Sequence, residues 1–203
     1  MFDDTYKTIE RSGKGIFRDR ASKFIGLALP AGNEAEVKSL LTRLRKEYWD
    51  ANHHCFAYVL GFDKSATRMN DDGEPSGTAG RPIMGQITSR DLTNILIVVI
   101  RYFGGTKLGV SGLINAYKQA ASLALDDAPL LEKTVNEVYV IHFEYERMND
   151  VMRILKDEKL EQINHQFGLN CSLEFRVRKR DAERITGLFQ DLREVQISYV
   201  RTE

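Results

Sequence analysis

Two stretches carry residue types that could do chemistry. Asp71-Asp72-Gly73-Glu74-Pro75-Ser76-Gly77-Thr78-Ala79-Gly80-Arg81-Pro82 places three acids within four residues. Such a group can hold a hard cation such as magnesium. The Asp-Gly and Glu-Pro steps equally make a plain turn, and the ligand spacing of an EF-hand is missing, so the turn is the favoured reading. Ser76 is not a nucleophile elbow, because Gly-x-Ser-x-Gly is not present. Ser76 or Thr78 is instead a candidate cap for a short helix over 81–89 that Pro82 helps to start.

The second stretch runs from Asn94 to Leu113. A β-branched apolar run, uncharged until Arg101, breaks into a loop holding Gly104, Gly105, Gly109 and Gly112. Such a run reads as a strand buried on both faces. Past the loop, Leu113, Ala116, Tyr117, Ala120, Leu123 and Ala124 recur at helical spacing. Strand, glycine loop and helix together can present backbone N–H groups to an anion. The loop is neither a P-loop, since Lys107 precedes Gly109 with the wrong neighbours, nor a dinucleotide fingerprint, since Gly104 and Gly105 are adjacent. No nucleotide cofactor, and no other cofactor, is expected. Arg101, Gly104, Gly105, Thr106, Lys107 and Gly109 form the candidate anion site, with Arg81 and Lys23, and also Lys14 and Arg20, as possible extensions. The same glycines would serve a tight turn and close helix packing.

These residues must be positioned by the elements around them. Tyr6 to Leu29 reads as a β-meander. Asn33 and Glu36 resemble a capping box ahead of a helix reaching about Trp49, with Val37, Leu40, Leu41, Leu44 and Tyr48 on one face. His54 to Leu60 alternates as a strand. His53 and His54 point to opposite faces of it, so they do not chelate one ion together, and no metal site is expected. Cys55 reads as a small core residue. Phe62 to Asn70 reads as a polar excursion. Ala128 to Thr134 looks like the joint between two domains, residues 1–133 and 134–203. Beyond it the order βαββαβ is the ferredoxin-like arrangement. In its fourth segment Leu173, Phe175 and Val177 alternate inward, while Arg176, Arg178 and Arg180 form a secondary basic patch. That patch suits a phosphate backbone, or equally a charged strand that deters edge pairing.

At 203 residues the chain can bury a real core. Its formal net charge is zero, so any contact with nucleic acid must come from a local patch. Cys55 and Cys171 lack zinc-site spacing. The N-terminus has no signal-peptide pattern, and the run Ile95–Ile100 is too short to cross a bilayer. A soluble cytoplasmic protein is expected, with no membrane partner.

The chain resembles the YigZ/IMPACT family in three segments: His53-His54-Cys55-Phe56-Ala57-Tyr58, the stretch Asp71–Pro82, and Val99-Ile100-Arg101-Tyr102-Phe103-Gly104-Gly105-Thr106-Lys107-Leu108-Gly109. The βαββαβ tail is similar to the second domain of the bacterial YigZ branch. Ser111 departs from a common glycine, and a serine there can cap the following helix. The resemblance implies an α+β protein of two domains. The first would be a two-layer α/β sandwich like the one shared by a small-subunit ribosomal protein and elongation factor G domain IV. The second would be ferredoxin-like, resembling domain V of that factor. Eukaryotic IMPACT relatives regulate translation by competing for the activator of an initiation-factor kinase, using a further N-terminal domain for which residues ahead of Tyr6 leave no room.

The expected function is therefore a non-enzymatic, translation-associated regulator that binds RNA, the ribosome or a translation factor through the Arg101–Gly109 loop. One alternative is a metal-dependent hydrolase or phosphatase built on Asp71, Asp72 and Glu74. It lacks a His-Glu-x-x-His motif or a Ser-His-Asp set, and the chain holds only four histidines. The other is a protein-interaction adaptor that uses Tyr102 and Phe103 as anchors.

Overall fold

The computed structural model describes residues 4–203. They divide into two compact units, Tyr6–Lys133 and Thr134–Glu203, the latter joined by Asp4 and Thr5. The chain is α+β, and its two larger sheets are antiparallel.

In the first unit the elements run β1 (Thr5–Ile9), β2 (Gly13–Asp19), β3 (Ser22–Pro30), α1 (Glu34–Glu47), β4 (His53–Leu60), β5 (Ala66–Asn70), α2 (Gly80–Ser89), β6 (Ile95–Tyr102), α3 (Gly109–Asp126) and β7 (Leu130–Thr134). Five strands pair in the order β2-β3-β6-β4-β5. The central strands are apolar on both sides, and each side is covered. Cys55, Ala57, Val59, Ile95, Ile97 and Val99 pack with Ile83 and Ile87 of α2 and Leu113 and Tyr117 of α3. Phe56, Tyr58, Leu60, Leu96, Val98 and Ile100 pack with Val37 and Leu44 of α1.

The unit is thus three layers deep, helix on sheet on helix, and the expected two-layer sandwich is corrected. The cause lies in β4 and β6, whose alternate residues are apolar on both faces and need two covers.

Three further expectations change. The meander does not form: β2 and β3 make a hairpin, whereas β1 pairs with β7. The supposed polar excursion contains β5, a short edge strand paired only with β4, and its exposed Thr67, Arg68 and Met69 hide the alternation. The start of α2 is capped by neither Ser76 nor Thr78. The Asp71 carboxylate accepts from the N–H groups of Gly77, Ala79 and Gly80 at 2.8–3.0 Å. Helix α1 does start as expected: the Asn33 side chain accepts from Glu36 N at 2.9 Å, and Glu36 reaches back to Gly32 N at 2.8 Å.

The second unit runs β8 (Asn136–Glu144), α4 (Met148–Asp157), β9 (Glu161–Gln166), β10 (Asn170–Arg178), α5 (Ala182–Gln190) and β11 (Val195–Thr202). Its sheet order is β11-β8-β10-β9. Ile141, Leu173 and Phe175 from the sheet pack with Val151 and Leu155 of α4 and Ile185 and Phe189 of α5. Among the described residues, no helix is long and apolar enough to cross a membrane.

Helix α3 lies so close to β3 that a Cβ on Gly26 would stand 2.1 Å from the carbonyl oxygen of Ala120. Gly26→Ala should therefore destabilise the protein by about 3 kcal/mol, the upper end of overpacking costs. The check is a urea titration, in which the midpoint falls and the slope stays unchanged.

Candidate functional site

The three acids of the turn do not converge. Asp71 caps α2. Burial raises its carboxyl pKa, but three backbone N–H donors, with help from Arg81, bring it below the usual range. Asp72 accepts from His54 N at 2.7 Å and from Arg45 at 3.0 Å. Glu74 turns inward, where Arg101 Nη1 donates to its Oε1 at 2.6 Å and the Tyr117 hydroxyl to the same oxygen at 2.7 Å. Among the described residues, no group of three or more His, Cys, Asp or Glu side chains is arranged to hold a metal ion.

Arg101 is consequently not the exposed cation that its place before the glycine loop suggests. It is 6% exposed, and Glu74 only 8%. Its guanidinium lies over two rings, 5.4 Å from the centroid of Phe24 and 5.5 Å from that of Phe103. Among the described residues, its buried Nε has no hydrogen-bond partner. Behind Glu74, the Cys55 thiol lies 3.3 Å from the Tyr117 hydroxyl and 3.0 Å from the carbonyl oxygen of Asp71. Burial pushes that thiol up to about 12, so Cys55 is a core residue and no nucleophile. His53 Nδ1 donates to the carbonyl oxygen of Asp72 at 2.8 Å, which leaves Nε2 3.9 Å from Glu74 Oε1.

The glycine loop is anchored from outside. Gly104 must be glycine because a Cβ there would meet the backbone of Ala21 at 2.1 Å. Its N–H donates to Ser22 Oγ at 3.1 Å, and that of Phe103 to Asn52 Oδ1 at 2.7 Å. Those two amides are therefore occupied. Gly105 and Gly109 have φ of +86° and +74°, which lets the chain turn into α3. Ser111 does not cap that helix; it lies inside the first turn, and Leu108 stands at the cap position with no side-chain hydrogen bond. The first N–H groups of α3 thus have neither an intrahelical partner nor a side-chain cap.

A cavity of about 480 Å³ opens beside this turn, lined by Arg101, Lys107 and Gly109 from the expected set. Asn52, His53, Glu74, Phe103, Val110 and Leu113 also line it. Lys23 and Arg81 do not: Lys23 lies on β3 opposite Tyr102, and Arg81 on α2. Asn52 and Glu74 could not be assigned from the sequence, because the contacts that bring them here join positions 51 and 27 residues apart. Glu74 was in view only as one of an acidic group. In the second unit each arginine of the basic patch faces a carboxylate. Arg176 pairs with Glu161 and Glu203, Arg178 with Asp4 at 2.6 Å, and Arg180 with Asp181 at 3.5 Å.

The Impact N-terminal domain matches residues 20–125, which contain the cavity and every residue that lines it. The chain belongs to the IMPACT family. It is 29% identical over 203 residues to the IMPACT family member YvyE of Bacillus subtilis, covering 97% of this chain and 94% of that one. It is 34% identical to the IMPACT family member YigZ of Escherichia coli, over 67% of this chain and 68% of the relative. The likeness extends to the Protein IMPACT homolog of Saccharomyces cerevisiae, at 32% identity over 45% of this chain and 36% of that one. A crystal structure described only as a hypothetical protein superposes with a TM-score of 0.73 at 26% identity, covering 98% of both chains.

Two outcomes follow from these contacts. Glu74→Leu leaves Arg101 buried without its partner and should cost about 3–5 kcal/mol. Arg101→Met combined with Glu74→Leu should recover much of that loss, a coupling that denaturation of the single and double variants reads out. The second outcome concerns His54, whose imidazole is held below its usual range by burial, with the Asp72 carboxylate acting the other way. Its contribution to stability is complete above the unfolded value of ~6.5 and is lost as pH falls toward the depressed native value. Between about pH 7.5 and about pH 5.5 the wild type should lose more stability than His54→Phe, measured by denaturant midpoints.

Proposed function

We propose that this protein is a non-enzymatic module of translation control that binds an RNA phosphate at Lys107 and the first turn of α3. One observation carries the reading: an uncapped helix start and a lysine share a cavity with a buried arginine whose Nε has no partner. Backbone N–H groups at a helix start, backed by its dipole and a flanking cation, suit a phosphate group. Arg101 organises the cavity and does not supply the free charge, since Glu74 balances it. The setting in translation rests on the family, whose eukaryotic members regulate translation. The order β11-β8-β10-β9, with both helices on one face, supports reading the second unit as ferredoxin-like, comparable to elongation factor G domain V.

Arg101→Ala is a poor probe because it breaks a buried pair. Lys107 and Val110 are exposed, so changes there leave the core intact. Co-sedimentation with ribosomes and with RNA at low and physiological salt should show binding that weakens steeply with salt. Lys107→Ala should lower the slope of log K against log salt by about one. Val110→Glu places a carboxylate at the helix start, where it favours the helix and competes with the anion, and should abolish binding. Binding indifferent to salt and to both variants would refute the phosphate site and turn attention to a protein partner on Phe103 and Val110.

A further inference from the structure

The cavity beside α3 is divided along its depth. Its outer end is cationic and exposed, formed by Lys107, Gly109 and Val110 at the helix start. Its inner end is polar but balanced, because Glu74 cancels the charge of Arg101. Pro75, Leu113 and Phe103 add apolar surface to the lining, and Phe103 is 46% exposed.

The inner end has hydrogen-bonding capacity that the protein does not use. Arg101 Nε has no partner. Both strong bonds to Glu74 fall on Oε1, as does the approach of His53, so Oε2 takes none of them. Asn52 accepts from Phe103 N through Oδ1, which leaves its amide N–H groups as donors. Amide donors on the exposed Asn52 and an acceptor on the buried Glu74 therefore line one cavity that has an aromatic wall. An inorganic anion would engage the outer end alone. An apolar side chain would bury the inner groups unpaired, at a cost. The edge of a nucleobase carries donors and acceptors of its own, and its faces stack on aromatic rings.

We propose that the cavity binds one nucleoside monophosphate unit, with the base against Phe103 and its edge on Asn52 and Glu74, and the phosphate on Lys107 and the first turn of α3. This rests on the phosphate reading above and names what the phosphate is attached to. The volume of about 480 Å³ lies within the usual range of small-molecule sites. The same unit occurs as a free nucleotide or as one residue of a single strand.

The test is titration calorimetry of the full chain with AMP, GMP, CMP and UMP, their nucleosides, inorganic phosphate and a short single-stranded oligoribonucleotide. At least one monophosphate should bind tenfold or more tighter than both its nucleoside and inorganic phosphate. Phe103→Ala should weaken that nucleotide about tenfold, the scale of one base stacked on an aromatic ring, and leave phosphate binding unchanged. Lys107→Ala should weaken the nucleotide and leave the nucleoside unchanged. Val110→Trp, an exposed position at the mouth, should block binding while the thermal midpoint holds. Mutual displacement of the monophosphate and the oligoribonucleotide assigns the site to a residue of a strand; a monophosphate that the strand fails to displace assigns it to a free nucleotide. If no monophosphate binds better than inorganic phosphate, the inference is overturned. Salt-sensitive RNA binding that persists in that case leaves the outer phosphate site standing, whereas its loss as well refutes both.

Discussion

The buried ion pair between Arg101 and Glu74 is the constraint on which the first unit's chemistry depends. It ties the end of β6 to the turn after β5, and through the Tyr117 hydroxyl it reaches α3. A buried pair is costly to desolvate and is poor evidence of added stability. What it provides here is position. The carboxylate can satisfy a strand-end guanidinium and a helix-borne phenol only if three elements keep their relative places. Contact with the rings of Phe24 and Phe103 further holds the guanidinium in place.

The acidic turn is understood through the same logic. Read as a string, Asp71, Asp72 and Glu74 resemble a cation site. Folded, each carboxylate faces a different donor: a helix start, a strand amide with an arginine, and the buried pair. The residues are grouped in sequence because one tight turn must fasten three neighbours. Arg176, Arg178 and Arg180 show the converse. They form a basic run along the chain, but the fold brings Glu161, Glu203, Asp4 and Asp181 to them.

Much of the fold was legible in local pattern. The alternation in β4, the apolar run of β6 and the Asn33 cap each depend on neighbours within a few positions, and all formed as read. The order βαββαβ of the second unit also formed as read. The failures were non-local. The departure of β1 to β7, the second helical cover of the sheet and the cap on α2 all depend on contacts between distant segments. The edge strand β5 was missed because exposure on its outer side leaves too few apolar residues to mark a period. At the candidate site the glycine loop and Lys107 were visible, but the burial of Arg101 was not. A positive charge after an apolar run looks like the end of a buried segment unless its distant carboxylate is known.

The strand order of the first unit also bears on how the chain acquires its shape. Strand β6 is the last of the five to leave the ribosome, yet it lies between β3 and β4. Until it is made, the β2–β3 hairpin and the β4–β5 pair each expose an edge with nothing to join them. Two half-sheets with open edges are the kind of species that associates wrongly with other chains. Insertion of β6 closes both edges at once and brings Arg101 against Glu74 in the same event. Closure of the sheet therefore precedes completion of the cavity, which waits for Lys107 to Leu113, and a nascent chain short of Tyr102 has neither.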